Sequence, residues 1–277
     1  GQFNPAGGRF GLSMPTGMLL NTRDLLDGEV QREAAAGYIA AFLEAALNGK
    51  EAYRRFFSDP DLRQSLAGKA VVYGRYEAGD FVPVSRFETS GLRTPASGVT
   101  AEAEGMTEWT HTAVLNRDGK SRGYKGLVLA WEGGARYTIG FEEWHARNVG
   151  MKETSAFAFS LADLSHELPE SGAYEIGISV EGTNGLRARL ELDRFGVLKS
   201  PPRVTFTVHR FLERRFGNGK YKTDIEPVFE TFIVPLSAFE EARPGLMSDG
   251  IRSVTLHLEG GPGKIMMDEF GFYPEGP

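Results

Sequence analysis

From about Lys69 to the C-terminus the strongest constraint on this chain is a period of two. Val254, Leu256 and Leu258 alternate with Ser253, Thr255 and His257. Leu186, Ala188, Leu190 and Leu192 alternate with Arg187, Arg189 and Glu191, and Val204, Phe206 and Val208 with Thr205, Thr207 and His209. Successive side chains of a strand point to opposite faces, so this alternation describes strands with one face buried and the other solvated. Ile176, Ile178 and Val180 repeat it, and further strands are expected near residues 70–77, 82–88, 126–132, 135–140, 155–161, 228–236 and 264–272. Half-buried strands with no helices between them predict antiparallel sheets packed face to face. The expected fold is therefore mainly β, a jelly-roll β-sandwich preceded by a helical segment.

The helical segment comes from a change of period. Residues 1–26 carry turn chemistry at Asn4-Pro5, Gly7-Gly8 and Met14-Pro15 and read as a loop. Beyond them Ala35, Tyr38, Ile39, Phe42 and Ala46 recur at three- and four-residue steps, the stripe of an amphipathic helix that Asp27 can cap and Gly49 can end. Tyr53, Phe56 and Phe57, closed by Ser58-Asp59-Pro60, predict a short second helix. The expected division is 1–66 as a helical tail and 67–277 as the sandwich. So short a tail needs a body for its stripe. Tyr38, Ile39 and Phe42 are expected to be buried, at roughly 1.5 to 3 kcal/mol each.

Composition narrows the function classes. The net charge of 31 − 37 = −6 disfavours nucleic acid or an anionic membrane as the main partner. No apolar run approaches the roughly 20 residues that span a bilayer, so a soluble protein is expected. The absence of cysteine removes disulfide frameworks, thiolate metal sites and a cysteine nucleophile, and it suits both the cytosol and an exported bacterial protein. The chain opens Gly1-Gln2-Phe3-Asn4, without an initiator methionine or a signal peptide, which reads as a processed product or a piece of something longer.

Two stretches carry resemblances. Residues 229–239 (FETFIVPLSAF), 251–256 (IRSVTL) and 263–272 (GKIMMDEFGF) resemble the closing strands of carbohydrate-binding modules with the galactose-binding-like jelly-roll fold. Gly1-Gln2-Phe3-Asn4, Leu19-Leu20-Asn21 and residues 38–45 (YIAAFLEA) resemble the segment just after the catalytic histidine of bacterial α/β-hydrolases that carry a C-terminal β domain. That resemblance implies a serine elbow, an acid and a histidine upstream of Gly1, and no G-x-S-x-G occurs in these 277 residues. It implies an exported, extracellular bacterial protein, with the cytosol left open by composition. The chain is then the non-catalytic C-terminal portion of a hydrolase-type protein, its partners an upstream hydrolase domain or a same-family chain, and a glycan. The competing reading is a processed structural or assembly subunit with no catalytic partner.

Candidate chemistry is sparse. The five histidines, His111, His145, His166, His209 and His257, lack the spacing of a helical zinc pair, and His257 and His209 fall on polar strand faces. Asp268 shares the strand phase of Met266, Phe270 and Phe272, which turns its carboxylate toward the apolar side, where a charge needs compensation. The jelly-roll resemblance implies a structural calcium there, shared with Glu77 of the first strand or, as second choice, Glu88, with backbone carbonyls completing the shell. Trp109 and Trp144 stand in polar surroundings and are the candidates for stacking on a sugar ring, whereas Trp131 is in phase with Leu127 and Leu129 and reads as core. The basic stretch Arg210 to Lys222 reads as a solvated loop on an acidic molecule.

Overall fold

A computed structural model describes residues 26–66, 71–87, 98–141, 151–203, 211, 215 and 222–276. The chain divides into two compact units. One comprises Gly1–Val71, Leu115–Lys120 and Pro202–Glu226, the other Val72–Val114, Ser121–Pro201 and Pro227–Pro277.

The first unit contains helices α1 (Gly28–Ala46), α2 (Arg55–Ser58) and α3 (Pro60–Leu66). Asp27 caps α1, its carboxylate accepting the Glu29 N–H at 2.8 Å, and Asp59 does the same for Asp61 and Leu62 at 3.0 Å each, with Pro60 opening α3. Tyr38 is half-buried with its ring 4.7 Å from that of Phe56 and 6.1 Å from that of Phe57, and Ala41 is buried beside it. The expectation of a buried stripe fails for its other members: Ile39 is 60% exposed and Phe42 59%. The reason is angular. At about 100° per residue the line of Tyr38, Ala41 and Ala45, from which Tyr38 meets Phe56 and Phe57, is centred about 65° from Phe42 and about 125° from Ile39. No helix among the described residues is long and apolar enough to cross a membrane.

The second unit is an antiparallel sheet of strands β1 (Val82–Ser85), β2 (Val99–Leu115), β3 (Ser121–Phe141), β4 (Ala156–Asp163), β5 (Tyr174–Gly182), β6 (Arg187–Glu191), β7 (Glu230–Pro235), β8 (Ile251–Gly260) and β9 (Gly263–Tyr273), with a short helix α4 (Leu236–Ala242). Strand order runs β6-β5-β8-β3-β9-β4-β7, with β2 on β3 and β1 on β9. Residues 126–132 and 135–140, expected as separate strands, belong to the single 21-residue β3. The 17-residue β2 was not foreseen, and residues 204–208 lie outside the described residues.

The topology turns on one ribbon. Strand β3 pairs with β8 from Gly134↔Glu259 to Gly140↔Ser253, and with β9 from Trp131↔Gly263 to Leu127↔Met267. The two registers differ by one residue, so β8 and β9 together behave as one bent strand beside β3, cornered at Gly260-Gly261-Pro262. The corner is built on Trp131, which is 1% exposed. Its indole N–H donates to the Gly260 carbonyl at 2.9 Å, a Cβ on Gly261 would stand 2.9 Å from Nε1, and a Cβ on Gly263 would run into the ring. Gly260 and Gly261 also take positive φ, +74° and +116°, which side chains on Cβ disfavour.

One half of the curled sheet, β6-β5-β8 with the C-terminal half of β3, shares a single buried cluster with the other half, β9-β4-β7. Residues from Ile178, Val180, Leu256 and Leu258 on the one side to Phe159, Phe232 and Phe270 on the other belong to it, which makes the unit a jelly-roll β-sandwich. Aromatic rings run through the second half as offset stacks, Phe141–Phe157–Phe270–Phe159–Phe232, with centroids 5.5 to 6.3 Å apart.

Candidate functional site

Of the expected metal residues, Asp268 lies at an irregularity in β9, and Glu77 comes close to its neighbour Glu269. Against β4, Phe159 faces Phe270 while Leu161 faces Met267, so β9 carries one extra residue across Asp268-Glu269. This bulge corrects the phase read from the sequence. Phe270 and Phe272 join Ile265 and Met267 in the main core, whereas Met266 lies with Val128, Ala162 and Phe229 in a separate apolar cluster. Asp268 therefore does not share a face with both Met266 and Phe270, yet it and Glu269 are both buried, 4% and 3% exposed.

Compensation for these acids comes from a distant segment. Residues 72–78 run extended along edge strand β7: the Thr231 N–H donates to the Gly74 carbonyl at 3.0 Å, and the Tyr76 N–H donates to the Thr231 hydroxyl at 3.0 Å. This lays Arg75 beside the bulge, its guanidinium 2.8 Å from the Asp268 carboxylate and 3.5 Å from that of Glu269. Glu77 is held by Arg86 through contacts of 3.1 and 3.4 Å. Glu269 accepts from the Ser160 hydroxyl at 3.2 Å, and Glu77 is near enough to raise its carboxyl. The arrangement fits guanidinium groups. Among the described residues no three His, Cys, Asp or Glu side chains are grouped to hold a metal ion, and Glu88 lies outside the described residues. Of the stacking candidates, Trp109 is half-buried on β2 with its ring edge-on to Tyr137 at 6.3 Å, and Trp144 lies outside the described residues.

The sequence pattern points elsewhere once register is added. Outward residues of four adjacent strands fall into cross-strand rows: Glu175, Glu259 and Gly134; Glu191, Gly177, His257 and Arg136; Arg189, Ser179, Thr255 and Thr138; Arg187, Glu181, Ser253 and Gly140. Contacts knit the rows together. Ser179 Oγ and His257 Nε2 are 2.8 Å apart, the Thr138 and Thr255 hydroxyls 2.9 Å apart, and Arg189 donates to Glu259 at 2.6 Å and Glu191 at 3.1 Å. Beside them, where Gly134 leaves its row without a side chain, a depression of about 360 Å³ is lined by Glu104, Arg136, His257 and Glu259. Burial, with Arg189 and Arg136 adding to it, holds the His257 imidazole below its ordinary value. It is thus neutral at pH 7, one nitrogen donating and the other accepting.

A larger cleft of about 500 Å³ lies between Asp163, Tyr174, Leu192, Leu198 and Ser200. Asp163 accepts from the Ser165 N–H at 2.9 Å, the Tyr174 hydroxyl at 3.1 Å and the Ser200 hydroxyl at 2.7 Å. Burial works to raise its carboxyl, but these hydrogen bonds outweigh it and hold Asp163 below the usual carboxylate range. Both hydroxyl hydrogens are committed to Asp163, so the cleft offers side-chain acceptors and few side-chain donors.

No protein-family model matches the chain, and no curated protein matches it. Among solved structures it is similar to the family 30 carbohydrate-binding module of the cellulosomal cellulase Cel9D-Cel44B of Clostridium thermocellum (10% identity, 69% of this chain and 96% of that one, TM-score 0.40). It is also similar to the family 11 carbohydrate-binding module from Clostridium thermocellum in complex with a β-1,3-1,4-mixed-linked tetrasaccharide (13% identity, 71% and 96%, TM-score 0.35), and to an exo-β-agarase (14% identity, 70% of this chain, TM-score 0.37). The chain spans 25% of the agarase's length. Likeness at this level adds nothing to the architecture, which rests on the strand pairing itself.

The buried acids set a pH dependence. Burial raises the Glu269 carboxyl above 4.5, the favourable pull of Arg75 being outweighed once Glu77 and Asp268 add their repulsion. A folded-state value above the unfolded one means that this group favours the native state at low pH and that the favour is lost as pH rises past 4.5. Glu269→Gln removes that loss. Urea titrations should show the variant more stable than wild type at pH 7.5, with the gap closing at pH 4; a variant less stable at pH 7.5 would show that Arg75 outweighs the burial.

Proposed function

We propose that the β unit is a non-catalytic accessory module that binds a glycan on the outward face of β6, β5, β8 and β3. The observation that carries this reading is the mixture of groups in the rows. A sugar hydroxyl donates one hydrogen bond and accepts others, so its site needs donors and acceptors side by side. Here Arg136 and Arg189 donate, Glu191 and Glu259 accept, and Ser179, Thr138, Thr255 and His257 do both. The 500 Å³ cleft lacks that balance. In the whole protein this module belongs to the C-terminal portion of an exported bacterial α/β-hydrolase-type protein, supported by the residues around Gly1 to Asn4 and Tyr38 to Ala45, and it serves packing or substrate presentation.

A second reading, an assembly subunit, is favoured by one feature: Ile39, Phe42, Leu43 and Leu47 of the α1 region are 60%, 59%, 43% and 75% exposed. One preparation separates the two. Affinity electrophoresis of the chain in gels carrying hydroxyethylcellulose, mixed-linkage glucan, xylan, agarose or galactan should show retardation in at least one gel, and a His257→Ala/Thr255→Val variant should lose it. A chain that no polysaccharide retards, and that elutes as an assembly dissociated by Ile39→Glu/Phe42→Glu, supports the subunit instead.

A structural calcium beside Glu77 and Asp268 would compete with Arg75 for the same carboxylate. A melting temperature that falls by several degrees in excess chelator would establish the ion, since a metal bound only by the native state raises stability by about 2.7 kcal/mol at a hundredfold excess over Kd. An unmoved curve assigns the compensation to Arg75 alone.

A further inference from the structure

Strand β6 stops short of the strand it covers. It pairs with β5 from Glu181↔Arg187 to Gly177↔Glu191, and the chain then leaves the sheet in a single turn of 3-10 helix, Leu192–Phe195. Strand β5 runs on to Tyr174, and its residues 174–176 pair with β8 alone. Hydrogen bonds at both ends of β5 fix which way its backbone faces there. The Gly182 N–H donates to the Leu186 carbonyl at 2.9 Å, so even-numbered residues turn their backbone groups toward β6. The Ala173 carbonyl accepts from the Gly261 N–H and the Thr183 N–H donates to the Gly250 carbonyl, each at 3.0 Å, so odd-numbered residues turn theirs toward β8. Tyr174 and Ile176 therefore face the side that β6 has left. That side is the 500 Å³ cleft, which both of them line together with Val197 and Leu198 of the following loop.

We propose that this notch docks a short extended peptide with basic side chains, added as a strand beside residues 174–176. The size fits. A strand residue fills about 160 Å³, given roughly 4.8 Å between strands, 10 Å across a sheet and 3.4 Å along it, so the 500 Å³ cleft holds about three, the number that β6 leaves uncovered. Charge selects the occupant. Asp163, Glu175, Glu191 and Asp193 line the cleft, and no Lys, Arg or His does. Arg189 holds Glu191 and three donors hold Asp163, whereas Glu175 and Asp193 have no ion-pair partner among the described residues. Alternation then sets the pattern of the peptide. Side chains of an added strand on the outward face meet Glu175, and those on the inward face meet Leu192 and Leu198 of the main core, so the matching sequence alternates cations with apolar residues. Main-chain pairing supplies affinity and the alternating side chains supply selectivity. This docking stands apart from glycan binding, although Glu175 and Glu191 border both sites.

Calorimetric titration of the full chain at physiological ionic strength tests strand pairing and charge separately. The probes are the end-blocked peptide Lys-Val-Lys-Val-Lys, the same peptide N-methylated at its valines or at its lysines, and a Glu-Val-Glu-Val-Glu counterpart. Only one side of an added strand faces β5, so one N-methylated peptide should bind at least about tenfold more weakly than the parent while the other stays within about threefold. A Glu175→Lys/Asp193→Lys variant, both positions being exposed, should bind the lysine peptide at least about tenfold more weakly and the glutamate peptide correspondingly better, with circular dichroism and the melting curve reporting an intact fold. Equal binding of all three lysine peptides, or equal loss from both methylated ones, overturns the pairing with β5. An unmoved preference in the charge-reversed variant overturns the cleft as the seat of the cations, and so does failure of wild type to bind the lysine peptide. None of these outcomes bears on retardation by polysaccharide gels, so the glycan reading stands or falls independently.

Discussion

The hydrogen bond from the Trp131 indole to the Gly260 carbonyl, with the glycines that pack on that ring, is the contact on which the β unit depends. It lets β8 and β9 change layer without leaving β3. Because β3 spans the corner, one strand pairs with β8 in the first half of the sheet and with β9 in the second. The inward side chains of both halves then converge on one core, and the outward side chains of the first half are free to form polar rows. A buried Trp at the corner also explains the local cost structure: any side chain at 261 or 263 competes with the indole for the same space.

The second half of the sheet meets a different constraint. Its bulge at Asp268-Glu269 buries two adjacent carboxylates. Residues 72–78 bring Arg75 to them while also covering the edge of β7, so one extended segment supplies a counter-charge and protects an exposed strand edge. Charge compensation and edge protection are therefore coupled.

Much of this was legible in the alternation of apolar and polar residues. The clean alternation of Val254 to Leu258 and of Ile176 to Val180 marked β8 and β5, and Asp27 marked the start of α1. His257 sits on a polar face as its phase required. Trp131 is core, as its phase with Leu127 and Leu129 implied. Strand β2 escaped because its inward positions are small, Ala101 and Ala103 between Glu102 and Glu104, and small residues weaken the period-two signal without erasing it. The phase of Asp268 was misread because a bulge inserts one residue and reverses every later side chain, and no residue type announces it. The stripe on α1 was misread because periodicity marks an apolar face without naming what covers it. The rows around Arg189 were invisible for a related reason: the alternation gives which residues face outward, but only register gives which of them are neighbours.

The claim that the Trp131 corner joins β8 and β9 into one strand is tested most directly by amide hydrogen exchange on Gly263→Ala. The added methyl collides with the indole, so the account predicts that protection falls together in residues 251–260, 263–267 and 127–140, with a loss of stability above the roughly 0.5 kcal/mol typical of a neutral substitution. Unchanged protection in 251–260 while 263–267 opens alone would contradict it, since β8 would then be held independently of the corner.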